Sequence, residues 1–181
     1  AQLPKLASGR VALDDGRFCV EGTADSADSF VALEAAASQL VRPGFQSVSC
    51  DLDPPVVSPY RWRAERSEAD TITLSGSFPR DGDRSQILAA TRRAFPAGSS
   101  IRDEMKPGLG APSAFIDKVS RALGDLARLR PGKAEIDGDV YTLSGKGPES
   151  YEACQALRLQ IAQGDGPDSV ARVTIECPAA P

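Results

Sequence analysis

The sequence contains no histidine. That absence removes the Ser-His-Asp and Cys-His nucleophile systems and every His-ligated metal site from consideration. Long apolar runs are also missing: none approaches the ~20 residues that a membrane-crossing helix needs. Basic residues are outnumbered, with 21 Lys and Arg against 25 Asp and Glu, a net charge of -4 and a pI near 4.9. Such a balance argues against a general phosphate-binding surface and against nucleic acid as a partner. The cysteines are few, and no pair among Cys19, Cys50, Cys154 and Cys177 has the CxxC spacing of a zinc or redox motif. Initiator methionine and signal peptide are absent as well, which leads to the expectation of a processed product or an excised piece.

What is present is ordinary for a folded soluble chain: 41% hydrophobic and 25% charged residues. The even number of cysteines admits two readings, four buried free thiols or two structural disulfides formed in an oxidising compartment, and the second is preferred.

The strongest pattern is a short alternating run closed by glycine, written three times: Arg17 to Gly22, Thr71 to Gly76 and Asp139 to Gly145. Each is followed by a polar stretch and then an amphipathic helical pattern. In the first unit, Arg10 to Leu13 leads through the turn signal Asp14-Asp15-Gly16 into that run. A helix starts near Asp28-Ser29, carries Phe30, Leu33, Ala37 and Leu40 on one face, and stops at Arg42-Pro43-Gly44. Phe45 to Leu52 reads as a closing strand. The second unit opens with Tyr60 to Ala64, in which Trp62 faces the core and Arg61 and Arg63 share a solvated face. After Ile72 and Leu74, a polar loop from Pro79 to Arg84 leads to a helix opening at Ser85, then to a strand with Ile101, Asp103 and Met105 on one face.

An additional helix precedes the third unit. Ser113 is its expected N-cap, and Phe115, Ile116, Val119, Leu123, Leu126 and Leu129 form its apolar stripe. Ala134 and Ile136 then belong to a first strand, Asp137-Gly138-Asp139 to a hairpin turn, and Tyr141 and Leu143 to the second strand. A helix from about Ser150 to Ile161 and a strand with Val173, Ile175 and Cys177 complete the plan.

The fold class expected is therefore α+β: three repeated strand-strand-helix-strand units at residues 8–57, 58–110 and 111–181, with helices packed on small mixed sheets. The anchor glycines Gly22, Gly76 and Gly145 lie 54 and 69 residues apart, and the extra helix accounts for the difference. Their structural reading is positive φ or close strand–helix contact. A phosphate-cradling loop would need further glycines, and Asp25 stands where the phosphate would sit. Aligning the units puts Cys154 on the helix and Cys177 on the last strand that packs with it, so these two are expected to bond. Cys19 is left to Cys50, although simple alternation puts them on opposite sides unless a bulge or a strand-edge position reconciles them.

No catalytic constellation emerges. Asp14, Asp15, Asp137 and Asp139 sit at turns, where Asp is favoured by local backbone bonding. Asp51 and Asp53 could join Asp14 and Asp15 around a cation, but nothing in their spacing resembles an EF-hand. No metal or cofactor is expected. Arg61, Arg63, Arg92 and Arg93 are the basic residues available for a surface contact with lipid headgroups or another polyanion.

The order helix, two strands, helix, strand, with a glycine closing the second strand, resembles the BON (bacterial OsmY and nodulation) domain. Ser113 to Cys177 fits it throughout, and the first two units fit from their first strand onward. The Pro54-Pro55-Val56-Val57-Ser58-Pro59-Tyr60 link looks like the repeat region of alphaproteobacterial OmpA-family envelope proteins. The resemblance implies a periplasmic, outer-membrane-associated, non-enzymatic module that binds envelope phospholipid or another envelope protein. The alternative is an assembly module that associates with a partner or with itself. The register of the units also suggests a piece of a longer array.

Overall fold

The computed structural model describes residues 6–14, 17–39, 46–163 and 170–180. It is an α+β chain of four helices and two mixed sheets. The chain divides into two compact units, one of residues 1–57 with 106–110, the other of residues 58–105 with 111–181.

The first unit contains β1 (Leu6–Asp14), β2 (Arg17–Ala24), α1 (Ala27–Gln39) and β3 (Gln46–Asp53). Strand order is β1-β2-β3, with β1 antiparallel and β3 parallel to β2. Val20, Ala24 and Ala37 are buried and form the described part of its core. The helix begins one to two residues before the expected Asp28-Ser29, because Ser26 supplies the cap: its hydroxyl accepts from the Ser29 amide at 3.2 Å and its carbonyl from the Phe30 amide at 2.9 Å. The expected features at Asp15-Gly16, Leu40 and Arg42-Pro43-Gly44 lie outside the described residues. Leu109 docks back on this unit, its carbonyl accepting from the Val57 amide at 2.8 Å and its amide donating to the Pro55 carbonyl at 2.9 Å.

The second unit is built on a six-stranded sheet. Its elements are β4 (Arg61–Arg66), β5 (Thr71–Phe78), α2 (Asp81–Ala94), β6 (Ser100–Pro107), α3 (Phe115–Leu126), β7 (Gly132–Asp137), β8 (Val140–Lys146), α4 (Tyr151–Gln163) and β9 (Val170–Glu176). Spatial order is β6-β5-β4-β7-β8-β9. The two first strands, β4 and β7, therefore pair at the centre, antiparallel, with Trp62 opposite Ile136, Ala64 opposite Ala134 and Arg66 opposite Gly132. Alternation is strict on β4: Trp62, Ala64 and Arg66 are buried, while Arg61, Arg63 and Glu65 are exposed. The apolar stripe of α3 lies over this junction, against β4, β7 and β8, with Phe115, Val119, Leu123 and Leu126 all buried, as are Ala64, Ile136 and Leu143 on those strands. Each such side chain contributes about 1.5–3 kcal/mol when taken out of water, so the sheet centre is the stability core of the unit. Trp62 Nε1 donates to the Met105 sulfur at 3.3 Å, and the Tyr60 ring meets Phe115 edge-on at 5.3 Å. The Tyr60 phenol is buried and has no hydrogen-bond partner among the described residues; burial, with Asp83 adding, pushes its pKa well above the ordinary value.

Two expected helix starts are corrected. α2 begins at Asp81, not Ser85. Its first turn needs no apolar residue, being held by Asp81 and Asp83 at the positive end of the helix dipole and by Arg84, which bonds Asp103 at 2.8 Å. Ser113 does not cap α3: the chain enters through Ala114 in a left-handed conformation, φ 53°, and no side chain caps the helix. Leu129 is buried but lies beyond the end of α3, where its amide donates to the Leu126 carbonyl at 3.0 Å.

Candidate functional site

The glycines that close each second strand are backbone devices. Gly76 has φ 93° and Gly145 φ 154°. A Cβ on Gly76 would fall on the Arg61 carbonyl oxygen, and one on Gly145 on the Pro131 carbonyl oxygen and 2.6 Å from the Gly132 Cα. Gly22 likewise abuts the backbone of Ser8 and Gly9. Each glycine has the expected positive φ, but the close contact it permits is with the backbone of the preceding strand, not with a helix. The surface near Gly145 is a depression of about 330 Å³ to which Lys133, Lys146, Glu65 and Glu176 all contribute. Arg66 lines it too, and each of its three cations is paired with a carboxylate: Arg66 with Asp70, Lys133 with Glu135 and Lys146 with Glu68.

The cysteines bond as the alignment predicts where they are described. Cys154 on α4 and Cys177 just past β9 form a disulfide, with Cα atoms 5.7 Å apart. Cys154 is fully buried, and Gly147 is packed so closely on its sulfur that no side chain could stand there. Cys19 is also disulfide-bonded; the Cys50 side chain lies outside the described residues. The backbone does carry a bulge at this point: between the pairs Val20–Ser49 and Gly22–Leu52, β3 advances three residues while β2 advances two.

Of the basic residues singled out from sequence, Arg61 and Arg63 stand on the face of β4 away from the helices and are neutralised there. Arg61 Nε bonds Asp137 at 3.1 Å, and Arg63 lies 3.4 Å from Glu135, which Lys133 also reaches at 2.7 Å. The Glu135 carboxyl titrates below its ordinary value, chiefly through the Lys133 hydrogen bond, with the Arg63 and Lys133 charges adding and burial opposing. Arg92 is exposed in the last turn of α2 without lining a cavity described here.

Arg93 occupies a different setting. It lines an open depression of about 670 Å³ together with Arg66, Arg128 and Arg130, floored by Phe95, Leu129 and Pro148. The local sequence explains the convergence. Arg93 ends α2, where a cation meets the negative end of the dipole. Arg128 and Arg130 follow α3 on the segment that turns back into β7, and Arg66 ends β4 beneath them.

Arg66 is the organiser. Its side chain is 4% exposed; two of its nitrogens bond Asp70 Oδ1 at 2.9 and 2.7 Å, and a third bonds the carbonyls of Ala127 at 2.7 Å and Leu129 at 3.0 Å. It also lies 5.3 Å from the Phe95 ring centroid. The other three line the depression around it. Arg130 reaches Asp70 at 2.9 Å yet remains 55% exposed. Arg128 donates to the Gln160 amide oxygen. Arg93 is exposed and makes no ion pair among the described residues. Two of these four guanidinium groups share the Asp70 carboxylate, and Arg93 and Arg128 make no ion pair among the described residues, a local positive excess on a chain of net charge -4.

Guanidinium groups stay charged at any physiological pH and match phosphate oxygens geometrically, but they neither donate nor accept protons usefully in catalysis. The cleft can hold an anion. Sequence reasoning singled out Arg93 and missed Arg66, Arg128 and Arg130. The available signal was Arg128-Leu129-Arg130 at a helix stop, together with Arg66 on the buried parity of its strand.

No protein-family model matches this chain, and no curated protein matches its sequence. Among the described residues no helix is long and apolar enough to cross a membrane, and none of their Cys, Asp and Glu gather in a group that could hold a metal.

Proposed function

We propose that this chain is a non-catalytic binding module of a bacterial cell envelope, composed of three BON-like units, and that it contacts anionic phospholipid headgroups at the arginine cleft. The observation that carries the reading is the convergence of Arg93, Arg128 and Arg130 on one open depression around the buried Arg66. The strand-strand-helix-strand order, which runs three times through the chain, supports the unit plan. The Cys154–Cys177 bond supports an oxidising compartment such as the periplasm.

Vesicle co-sedimentation tests the reading. The chain is expected to pellet with phosphatidylglycerol vesicles at low salt, to release as salt rises, and to ignore phosphatidylcholine vesicles. Replacing Arg93 and Arg128 together by Ala should weaken binding on the order of thirtyfold, from about 1 kcal/mol per basic residue near the surface. Arg61→Ala, whose partner is Asp137, should leave it unchanged. Failure to pellet at low salt, or indifference to the double substitution, would refute the proposal.

A further inference from the structure

The six-stranded sheet shows how two units of this plan join, and β1 offers the same joining edge. Gly9 of β1 lies opposite Gly22, Trp62 of β4 opposite Gly76, and Gly132 of β7 opposite Gly145. Taking Gly9, Trp62 and Gly132 as one position, the next along each strand is basic: Arg10, Arg63 and Lys133. The position after that is small and apolar: Val11, Ala64 and Ala134. At the β4–β7 junction the register is centred on Ala64 opposite Ala134, and the pairs to either side exchange roles: Arg63 faces Glu135 and Glu65 faces Lys133. The joint is therefore a local pseudo-twofold in which one first strand pairs with another.

In the first unit the corresponding edge of β1 is unpaired among the described residues, since β1 ends its sheet. The third strands give the contrast. β6 and β9 both remain sheet edges in the six-stranded sheet, so in this plan the first strand is the one used for joining. The composition of β1 agrees. Between Leu6 and Leu13 it carries a single charge, Arg10, which is paired to Glu21 of its own unit at 2.7 Å. It has neither the proline nor the run of charges that normally blunts an exposed edge.

We infer that β1 pairs antiparallel with β1 of a second copy of this chain, about a twofold axis at Val11, to give a continuous six-stranded sheet. Self-pairing about the equivalent of the Ala64–Ala134 position puts Val11 opposite Val11, Arg10 opposite Ala12 and Gly9 opposite Leu13. An isologous joint of this kind closes at two copies. No like charges meet across it. Among the described residues no helix corresponding to α3 covers the seam, so it is weaker than the internal joint, with a dissociation constant on the order of 10 μM.

Ala12 provides the test, because at its equivalent in the internal joint Glu135 faces Arg63. Ala12→Glu places a carboxylate opposite Arg10 of the second copy, twice by symmetry, whereas Ala12→Lys places a second cation there. Sedimentation equilibrium of the full chain should show a monomer–dimer equilibrium. The Glu variant should tighten it about fivefold and the Lys variant weaken it about as much, both effects shrinking in high salt. Thermal unfolding of the two variants checks that each remains folded. A chain that stays monomeric to about 0.5 mM, one that assembles beyond two copies, or a dimer equally strong in all three proteins overturns the inference. Vesicle binding is measured separately on the same samples, so loss of either result leaves the other standing.

Discussion

Gly76 decides how closely β4 and β5 can cross. Any side chain there meets the Arg61 carbonyl and must also hold φ 93°, a conformation that costs an L-residue about 1–2 kcal/mol before any clash. Gly76→Ala should therefore destabilise the chain by about 2–4 kcal/mol, read as a lower urea midpoint at unchanged slope. Gly82 is the control: it sits in the first turn of α2 with open space around it, and Gly82→Ala should be neutral or stabilising by up to about 1 kcal/mol. A Gly76→Ala protein as stable as the Gly82→Ala one would remove the close-crossing account. The glycine's role was legible in sequence because it recurs at the same place in three runs. Arg66 was not. Alternation places it on the buried side of β4, but burial of an arginine is tolerable only where Asp70 and two carbonyls meet it, and those partners come from other segments.

Among the elements, α4 and β9 are held together by a covalent bond as well as by the packing of Leu157, Ile161 and Ile175, all buried. Cys154 and Cys177 are 23 residues apart, a loop whose closure restrains the unfolded chain by about 3 kcal/mol. Replacing both by Ala should lower the unfolding free energy by roughly that amount, measured by denaturant titration. A double variant within about 0.5 kcal/mol of the parent would show that the bond adds nothing. The bond was legible because repeat alignment placed both cysteines on elements that must pack. The stripe of α3 was equally plain, since Phe115, Val119, Leu123 and Leu126 recur at helical spacing. The start of α2 was hidden for a physical reason: its first turn is polar and solvated, so no periodicity marks it, and the stabilising features are a dipole interaction and the Arg84–Asp103 bond. The bulge at Cys50–Asp51 left one trace, the opposite parities of Cys19 and Cys50, but alternation alone could not place it.

At the scale of the whole chain, the joining of two repeats into one sheet could not be read from periodicity, which specifies faces and is silent about edges. The consequence is measurable. β4 and β7 lie at the centre of their sheet beneath α3, so amide exchange followed by mass spectrometry should be slowest there and fastest at the β6 and β9 edges. Equal protection across the sheet would contradict a centre at the junction. The same joint constrains how the protein can be made. Arg61 pairs with Asp137, so the sheet cannot close until the chain has been synthesised past its seventh strand. A newly made β4–β5 hairpin must wait with its outer edge bare while about sixty residues follow, from Phe78 to Asp137, the kind of delay in which strands find wrong partners. On that edge Arg61, Arg63, Glu65 and Arg66 place four charges in six positions. They make the growing chain a poor template for its neighbours, and only the matching pattern of β7, with Lys133, Glu135 and Asp137, turns that guard into a bond.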